Sequence, residues 1–154
     1  MDTDTCNRII CSLVLSRLNF CCVLYNGQPK KALARLQKVQ NYAVKIVSMQ
    51  PRHAHVTPLF KQFKWLSVEN FAKYRIATIV YTCLYSSNSG PGYLLDLIKI
   101  YIPLRPLRSQ NLSLLTIPKL KSKFAQRAFS YQALIIWNNL LCESYLSHNW
   151  DIEM

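Results

Sequence analysis

Apolar and polar positions follow a helical period along most of the chain. Apolar residues recur every three to four positions over residues 5–25, 30–49, 68–86 and 124–141, which predicts four long helices. Two shorter helices are predicted over residues 58–63 and 93–100, the first with Thr57 as N-cap and Pro58 in its first turn. We therefore predict a mainly α fold, a small helical bundle.

The first two long helices differ in how sharply their apolar face is defined. Residues 5–25 carry a broad apolar face, so we expect this helix to be well buried and to end at the Asn26-Gly27-Gln28-Pro29 sequence. Residues 30–49 carry a narrower face. Adjacent positions compete for the core there, Val39 with Gln40 and Ile46 with Val47, and the period leaves both choices open.

Residues 101–123 have a different character from the rest of the chain. Three prolines interrupt this segment, and its basic residues lack helical spacing, so it is predicted to be a Pro-rich basic extended arm. Within it, residues 112–117 form either a short strand or a part of the extended arm. The chain is thus divided into a helical region (1–100), the arm (101–123), and a C-terminal helix and tail (124–154).

The charge distribution is the feature that bears most on function. All 19 Lys and Arg residues lie between Arg8 and Arg127, where Glu69 and Asp96 are the two acidic residues. A body with so little internal counter-charge repels itself and attracts polyanions, of which nucleic acid is the commonest. On the helix at residues 30–49 the cations form a continuous stripe, and a solvated face is the competing interpretation of that stripe.

Catalytic and metal chemistry finds little support in the sequence. Two-metal phosphoryl transfer and glycoside hydrolysis need clustered carboxylates, whereas Glu69 and Asp96 lie far apart. No glycine-rich phosphate loop, nucleophile elbow or H-E-x-x-H sequence occurs. The six cysteines contain no C-x2-C pair, so we expect buried free thiols. We predict no enzyme activity, cofactor, bound metal or small-molecule substrate.

The apolar runs are too short or too interrupted to predict a membrane span. Residues 9–25 contain Ser12, Ser16, Arg17 and Asn19, and residues 76–85 are about half the length that a bilayer requires. The acidic N-terminal sequence does not look like a secretory signal. A nuclear or cytoplasmic location is expected, with binding of the basic helices to a membrane surface as a weaker alternative.

Basic residues interleaved with aromatic residues are the candidate nucleic-acid contacts. Cations bind phosphates, and aromatic rings stack on unpaired bases, although a core or boundary position is the competing interpretation for Trp65. The candidates are Lys31, Arg35, Lys38, Lys45, Lys61, Lys64, Trp65, Arg105 and Arg108.

Short motifs in a fixed order resemble non-LTR (LINE-type) retrotransposon polyproteins. LSRLNFC at residues 15–21 is similar to the SRLDYC segment of that family, and LQKVQN at 36–41 to its LQ-VQN segment. TPL at 57–59 with KWLSV at 64–68 resembles TP-L followed by HWLPV. Further matches are Leu104-Arg105, Leu107-Arg108-Ser109, Pro118, Arg127-Ala128-Phe129 and Trp137-Asn138. Together the matches cover about residues 13–141.

The resemblance implies both a fold and a role. In that family these segments follow the fingers and palm of the reverse transcriptase, so the chain would correspond to the thumb and post-thumb region, a fragment of a larger polymerase fold. The resemblance implies binding of primer–template or RNA, with RNA or an RNA–DNA duplex as partner. The catalytic Asp-Asp motif belongs to the palm and does not occur here. The alternative is a non-functional retrotransposon-derived fragment, or an interaction module for an intact reverse transcriptase.

Overall fold

A computed structural model of the chain describes residues 2–85, 91–103 and 113–150, and its architecture is mainly α-helical, as predicted. The chain divides into two compact units, Met1–Arg75 and Ile76–Met154. The predicted division at residues 100 and 123 stays a prediction. The helices are α1 (Thr3–Ile10), α2 (Ser16–Asn19), α3 (Lys30–Val47), α4 (Thr57–Phe63), α5 (Val68–Tyr85), α6 (Gly92–Leu97) and α7 (Phe129–Trp150).

The first unit opens with one continuous helical stretch. A π-helical segment, Cys11–Leu15, joins α1 to α2 with right-handed backbone on both sides. The stretch stops after Asn19, because Phe20 is extended and Cys21 takes a left-handed conformation with φ of 50°. A single 3-10 turn, Cys22–Tyr25, follows. The predicted helix over residues 5–25 was therefore wrong in its last six residues.

Burial of this first stretch also differs from the prediction. Cys6, Leu18 and Cys22 are buried, but Leu13 is 66% exposed, Phe20 is 74% exposed and Leu24 is 70% exposed. A broad apolar face predicts burial only where the fold supplies a surface to cover it, and in the described structure half of this face remains open to solvent.

Helix α3 carries the core of the first unit. Ala43, Val44 and Val47 are buried, whereas Ile46 is 58% exposed, so Val47 takes the core position that the sequence left open between them. At the other open choice, Gln40 is buried at 4% exposure and Val39 is exposed. A buried amide in place of a valine requires hydrogen-bond partners.

Gln40 finds these partners in Gln37 and in the chain between α4 and α5. Gln40 Nε2 donates to the carbonyl oxygen of Leu66 at 2.8 Å, and the backbone N–H of Val68 donates to Gln37 Oε1 at 3.0 Å. Gln37 Nε2 in turn donates to Gln40 Oε1 at 3.0 Å. The Val68 N–H is one of the unpaired donors at the start of α5, so Gln37 caps that helix from outside it.

Ser67 caps the same helix from within the chain. Its hydroxyl oxygen accepts from the backbone N–H of Asn70 at 3.3 Å, which is the hydrogen bond of an N-cap serine. Helix α4 begins at Thr57 rather than after it, with Val56 at the N-cap and Pro58 in the first turn. The predicted cap at Thr57 was therefore displaced by one residue, while the predicted end of α4 at Phe63 is confirmed.

The second unit contains the rest of α5, α6 and α7. Buried residues of α5 (Ile76, Val80, Cys83) and of α7 (Ala133, Leu134, Ile136, Trp137) form its core. Helix α7 begins at Phe129, after a 3-10 turn at Ala125–Arg127, and the predicted start at residue 124 was therefore five residues early. Leu140, farther along α7, is 46% exposed.

The predicted strand at residues 112–117 is reduced to one antiparallel bridge in its described part, between Ile100 and Leu115. The backbone N–H of Tyr101 donates to the carbonyl oxygen of Leu114 at 2.7 Å, and the backbone N–H of Thr116 donates to the carbonyl oxygen of Lys99 at 2.9 Å. Asn138 of α7 pairs with both backbone groups of Leu115: its Oδ1 accepts from the N–H at 2.8 Å, and its Nδ2 donates to the carbonyl at 2.9 Å.

The cysteines are free, and their burial is mixed. Cys6, Cys22 and Cys83 are buried as predicted, but Cys21 and Cys142 are exposed. Burial raises the pKa of the Cys22 and Cys83 thiols. Over the part of the chain that the structure describes, no helix combines the length and the hydropathy needed to cross a membrane.

We predict that Gln40→Ala lowers the free energy of unfolding by about 1–3 kcal/mol, because it leaves the Leu66 carbonyl without its partner and removes buried atoms. Urea denaturation followed by circular dichroism measures the change. The matched control is Gln62→Ala on the exposed side of α4, which should stay within about 0.5 kcal/mol of the parent. Equal unfolding midpoints for the two variants would contradict the structural role of Gln40.

Candidate nucleic-acid interface

The predicted basic stripe of α3 lies on the solvent side of the helix. Lys31, Arg35 and Lys38 are exposed, and Lys45 is half-buried. The stripe divides into two parts, because Lys38 and Lys45 line a hollow of about 240 Å³ together with Asn41, Tyr42 and Arg52. Lys31 and Arg35 lie nearer the start of α3 and line none of the described hollows.

Arg52 organises this hollow by contacts to neutral groups. Its Nη2 donates to the Tyr42 hydroxyl at 3.4 Å, and its guanidinium carbon lies 5.5 Å from the centre of the Tyr42 ring. The ammonium group of Lys45 donates to the Arg52 carbonyl oxygen. Lys45 and Arg52 are therefore brought to the same place without an acidic residue between them, and their charges remain unneutralised.

The remaining candidates of the first unit surround a second hollow. A groove of about 620 Å³ runs between α3, α4 and the connection from α4 to α5. Lys61, Lys64 and Trp65 line it on one side and Gln37 and Asn41 on the other. Since Asn41 lines both hollows, the groove and the Arg52 hollow are neighbours on one face of the first unit.

Lys64 occupies an unusual backbone position in this groove. It ends α4 in the left-handed region with φ of 55°, which residues other than glycine adopt infrequently. Its backbone N–H donates to the Lys61 carbonyl at 3.2 Å, and the next residue, Trp65, donates to the Phe60 carbonyl at 2.9 Å. This closing turn holds the lysine and the tryptophan at the groove.

Trp65 has both a packing role and a surface role. Its ring meets Phe60 edge to face at 6.3 Å and Phe63 at 6.1 Å with a 47° tilt, and the side chain is half-buried. The two phenylalanines fix the orientation of the indole while it lines the groove. The two interpretations left open by the sequence, boundary packing and ligand contact, are therefore compatible at this residue.

Glu69, the acidic residue nearest in sequence to these lysines, lies outside the groove and the Arg52 hollow. Glu69 accepts from Lys73 Nζ at 2.8 Å, and this contact lowers the pKa of the Glu69 carboxyl below its usual range. Glu69 lines a different hollow, with Lys30, Tyr25 and Gly27. The groove and the Arg52 hollow are lined by no carboxylate among the described residues.

Sequence reasoning identified five of the residues at the two hollows and missed others. Arg52 lies between the helices predicted over residues 30–49 and 58–63 and was not a candidate, and the uncharged amides Gln37, Gln40 and Asn41 were not considered as site residues. A signal did exist, since all three amides lie within the LQKVQN motif at residues 36–41. The remaining predicted contacts, Arg105 and Arg108, lie outside the described residues.

Neither a metal site nor a similar protein assigns a role to these residues. Among the described residues, no group of three or more His, Cys, Asp or Glu side chains is placed to hold a metal ion. Comparison of the chain with protein-family models, curated proteins and solved structures gave no significant match.

We predict that Tyr42 ionises at a lower pH than an ordinary tyrosine, because the hydrogen bond and positive charge of Arg52 lower the pKa of the phenol. The phenolate–Arg52 attraction thus grows as the pH rises through the lowered pKa. A titration of the tyrosine ring carbons by NMR measures this. Arg52→Gln should raise the pKa of Tyr42 more than Lys38→Gln does, since Lys38 contributes the smallest effect. Equal shifts in the two variants would contradict the assignment.

Proposed function

We propose that this chain is a non-catalytic nucleic-acid-binding remnant of a LINE-type reverse transcriptase that contacts the phosphates of RNA or of a primer–template duplex. The single observation that carries the proposal is the grouping of five cations around two adjacent hollows of the first unit. These residues are Lys38, Lys45, Arg52, Lys61 and Lys64.

The chemistry of the hollows favours phosphate over other anions of the cell. Cations at several points along one face match the repeated charge of a nucleic-acid backbone. Each phosphate contact also releases condensed counterions, which favours binding. Neutral amides and aromatic rings between the cations, Asn41, Tyr42 and Trp65, suit sugars and bases. A small anionic ligand would be bound by a single enclosed cluster of cations, whereas the cations here are spread over two hollows.

The positions of the resemblance motifs also support the proposal. The LQKVQN motif at residues 36–41 and the KWLSV motif at 64–68 lie far apart in the sequence, yet they are joined by the Gln40–Leu66 and Val68–Gln37 hydrogen bonds. Both motifs then line the groove. A binding site retained from that family would require its motifs to meet at one surface, and these two motifs do so.

A second candidate function, an interaction module for an intact reverse transcriptase, is favoured by a different observation. Val39, Tyr42, Ile46 and Met49 lie at spacings of three and four on the outer side of α3 and its C-terminal end, and all are exposed, Met49 at 65%. Such a stripe is an apolar surface of the kind that protein partners cover. The fingers–palm part of a polymerase is the partner that the resemblance implies.

The salt dependence of binding tests the first proposal. With a fluorescein-labelled RNA–DNA duplex, we expect log K to fall with log[salt] at a slope of about −4 to −5, for about five phosphates engaged. Fluorescence anisotropy between 50 and 300 mM KCl, about a sixfold range, makes this slope measurable. A flat dependence would refute phosphate binding.

Lys64→Asn locates the contact without endangering the fold. Asparagine tolerates the left-handed backbone of position 64 better than lysine, so the variant loses a cation without losing stability. We expect the salt slope to become shallower by about 1. Arg17→Gln is the control, because it removes the same charge at an exposed position outside both hollows. If both variants change the slope equally, net charge rather than the groove determines binding.

The second candidate is tested through the exposed stripe of α3. We expect the purified chain to self-associate, and the double variant Ile46→Lys with Met49→Lys to reduce light scattering several-fold without a change in circular dichroism, because both side chains are largely exposed. The control is the double variant Gln62→Lys with Asn139→Lys, which adds the same two charges at exposed polar positions outside the stripe. The same reduction in the control would show that any added charge suffices.

A further inference from the structure

The groove between α3 and α4 offers more than phosphate contacts. Its volume of about 620 Å³ lies within the range of about 300–1,000 Å³ that is typical of sites for small organic groups. Its lining combines aromatic rings (Phe60, Trp65), uncharged polar groups (Asn41, Ser67) and the two lysines. A surface that bound phosphates alone would need neither the rings nor the amides.

The aromatic side of the groove is built from packed rings. Phe60 and Phe63 contact the Trp65 ring from two directions, and the turn that ends α4 fixes its backbone. A ring whose rotamer is already fixed loses little conformational entropy when a ligand stacks on it. Trp65 is half-buried, so part of it remains accessible from the groove.

The amide side of the groove has a fixed hydrogen-bond polarity. The Val68 N–H can only donate, so the Gln37 atom facing it is the oxygen and the other is the nitrogen. That nitrogen donates to Asn41 at 2.9 Å, so the Asn41 atom it meets is Oδ1. The backbone thus determines which end of Asn41 is engaged, and the Nδ2 group is left as its donor toward a ligand.

The two sides together have the chemistry of a nucleobase site, and we infer that this groove takes an unpaired base of a single strand. The base stacks against Trp65, its ring-nitrogen or carbonyl acceptors meet Asn41 Nδ2, and Lys61 and Lys64 contact the flanking phosphates. This inference rests on the proposed function. Since every base carries such acceptors, the site discriminates weakly between sequences.

The site predicts a preference for single strands over duplexes. In a duplex the bases are stacked and paired, so a base reaches the groove only after unstacking, which opposes binding. The hollow with Lys38, Lys45 and Arg52 shares Asn41 with the groove, and its cations offer phosphate contacts to the same strand.

An abasic oligonucleotide separates base contacts from phosphate contacts. The probes are a fluorescein-labelled RNA of twelve nucleotides and the same strand with abasic residues throughout its centre, which keeps every phosphate. We expect the full-length chain to bind the abasic strand about tenfold more weakly, as the loss of one stacked base implies. The salt slopes of the two strands should agree, because both carry the same charge.

Three variants assign the difference to the groove. Trp65→Leu and Asn41→Ala should each reduce the tenfold difference, whereas Asn139→Ala, an exposed asparagine of α7, should leave it unchanged. Thermal unfolding shows whether Trp65→Leu remains folded. If it does not, the Asn41 variant and the comparison of strands with the parent chain still decide the matter.

The outcomes distinguish the two proposals. Equal affinity for both strands overturns the base site while phosphate binding stands. An abasic effect that persists unchanged in Asn41→Ala and in folded Trp65→Leu also overturns it. Failure to bind any strand at low salt overturns the proposed function itself.

Discussion

The Gln37–Gln40 pair determines how the first unit is built. A buried amide is stable only when its donors and acceptors are paired, and these two side chains find partners in each other and in the backbone of Leu66 and Val68. The chain between α4 and α5 must therefore lie against α3 in one register. That register brings Trp65, Lys64 and Asn41 to one groove, so the shape of the groove depends on the hydrogen bonds between α3 and the α4–α5 connection.

Side-chain amides solve a similar problem in the second unit. The segment around Leu115 bridges to Ile100 through the backbone groups of its neighbours, which leaves the N–H and carbonyl of Leu115 directed away from that bridge. Asn138 pairs with both of them, as a further strand would. Asn138 on α7 thus takes the place of a neighbouring strand. Within the described structure, the backbone of Leu115 is therefore paired without a sheet.

The sequence predicts helices well where the apolar period is long, as in α3 and α5, whose starts at Lys30 and Val68 agree with the prediction. It could not choose between Val39 and Gln40, because a 3.6-residue period places both near the core boundary and the decision depends on Leu66, 26 residues away. The early end after Asn19 was missed because Cys21, a residue without a turn signature, adopts the left-handed conformation. For the candidate site, charge identified the lysines and the LQKVQN motif contains Asn41, but only tertiary geometry places Arg52 and Asn41 beside those lysines.

The way the cations are held bears on what the first unit can bind. Lys45 donates to a carbonyl oxygen, and Arg52 contacts the ring and hydroxyl of Tyr42, so neutral groups orient both cations. A carboxylate in their place would orient them equally well but would cancel their field and compete with a phosphate for the same donors. Glu69, the carboxylate available nearby in sequence, is instead engaged by Lys73. The groove face is therefore ordered without being neutralised. Under the proposed function, an incoming polyanion would meet oriented donors and would not need to displace an internal counter-ion.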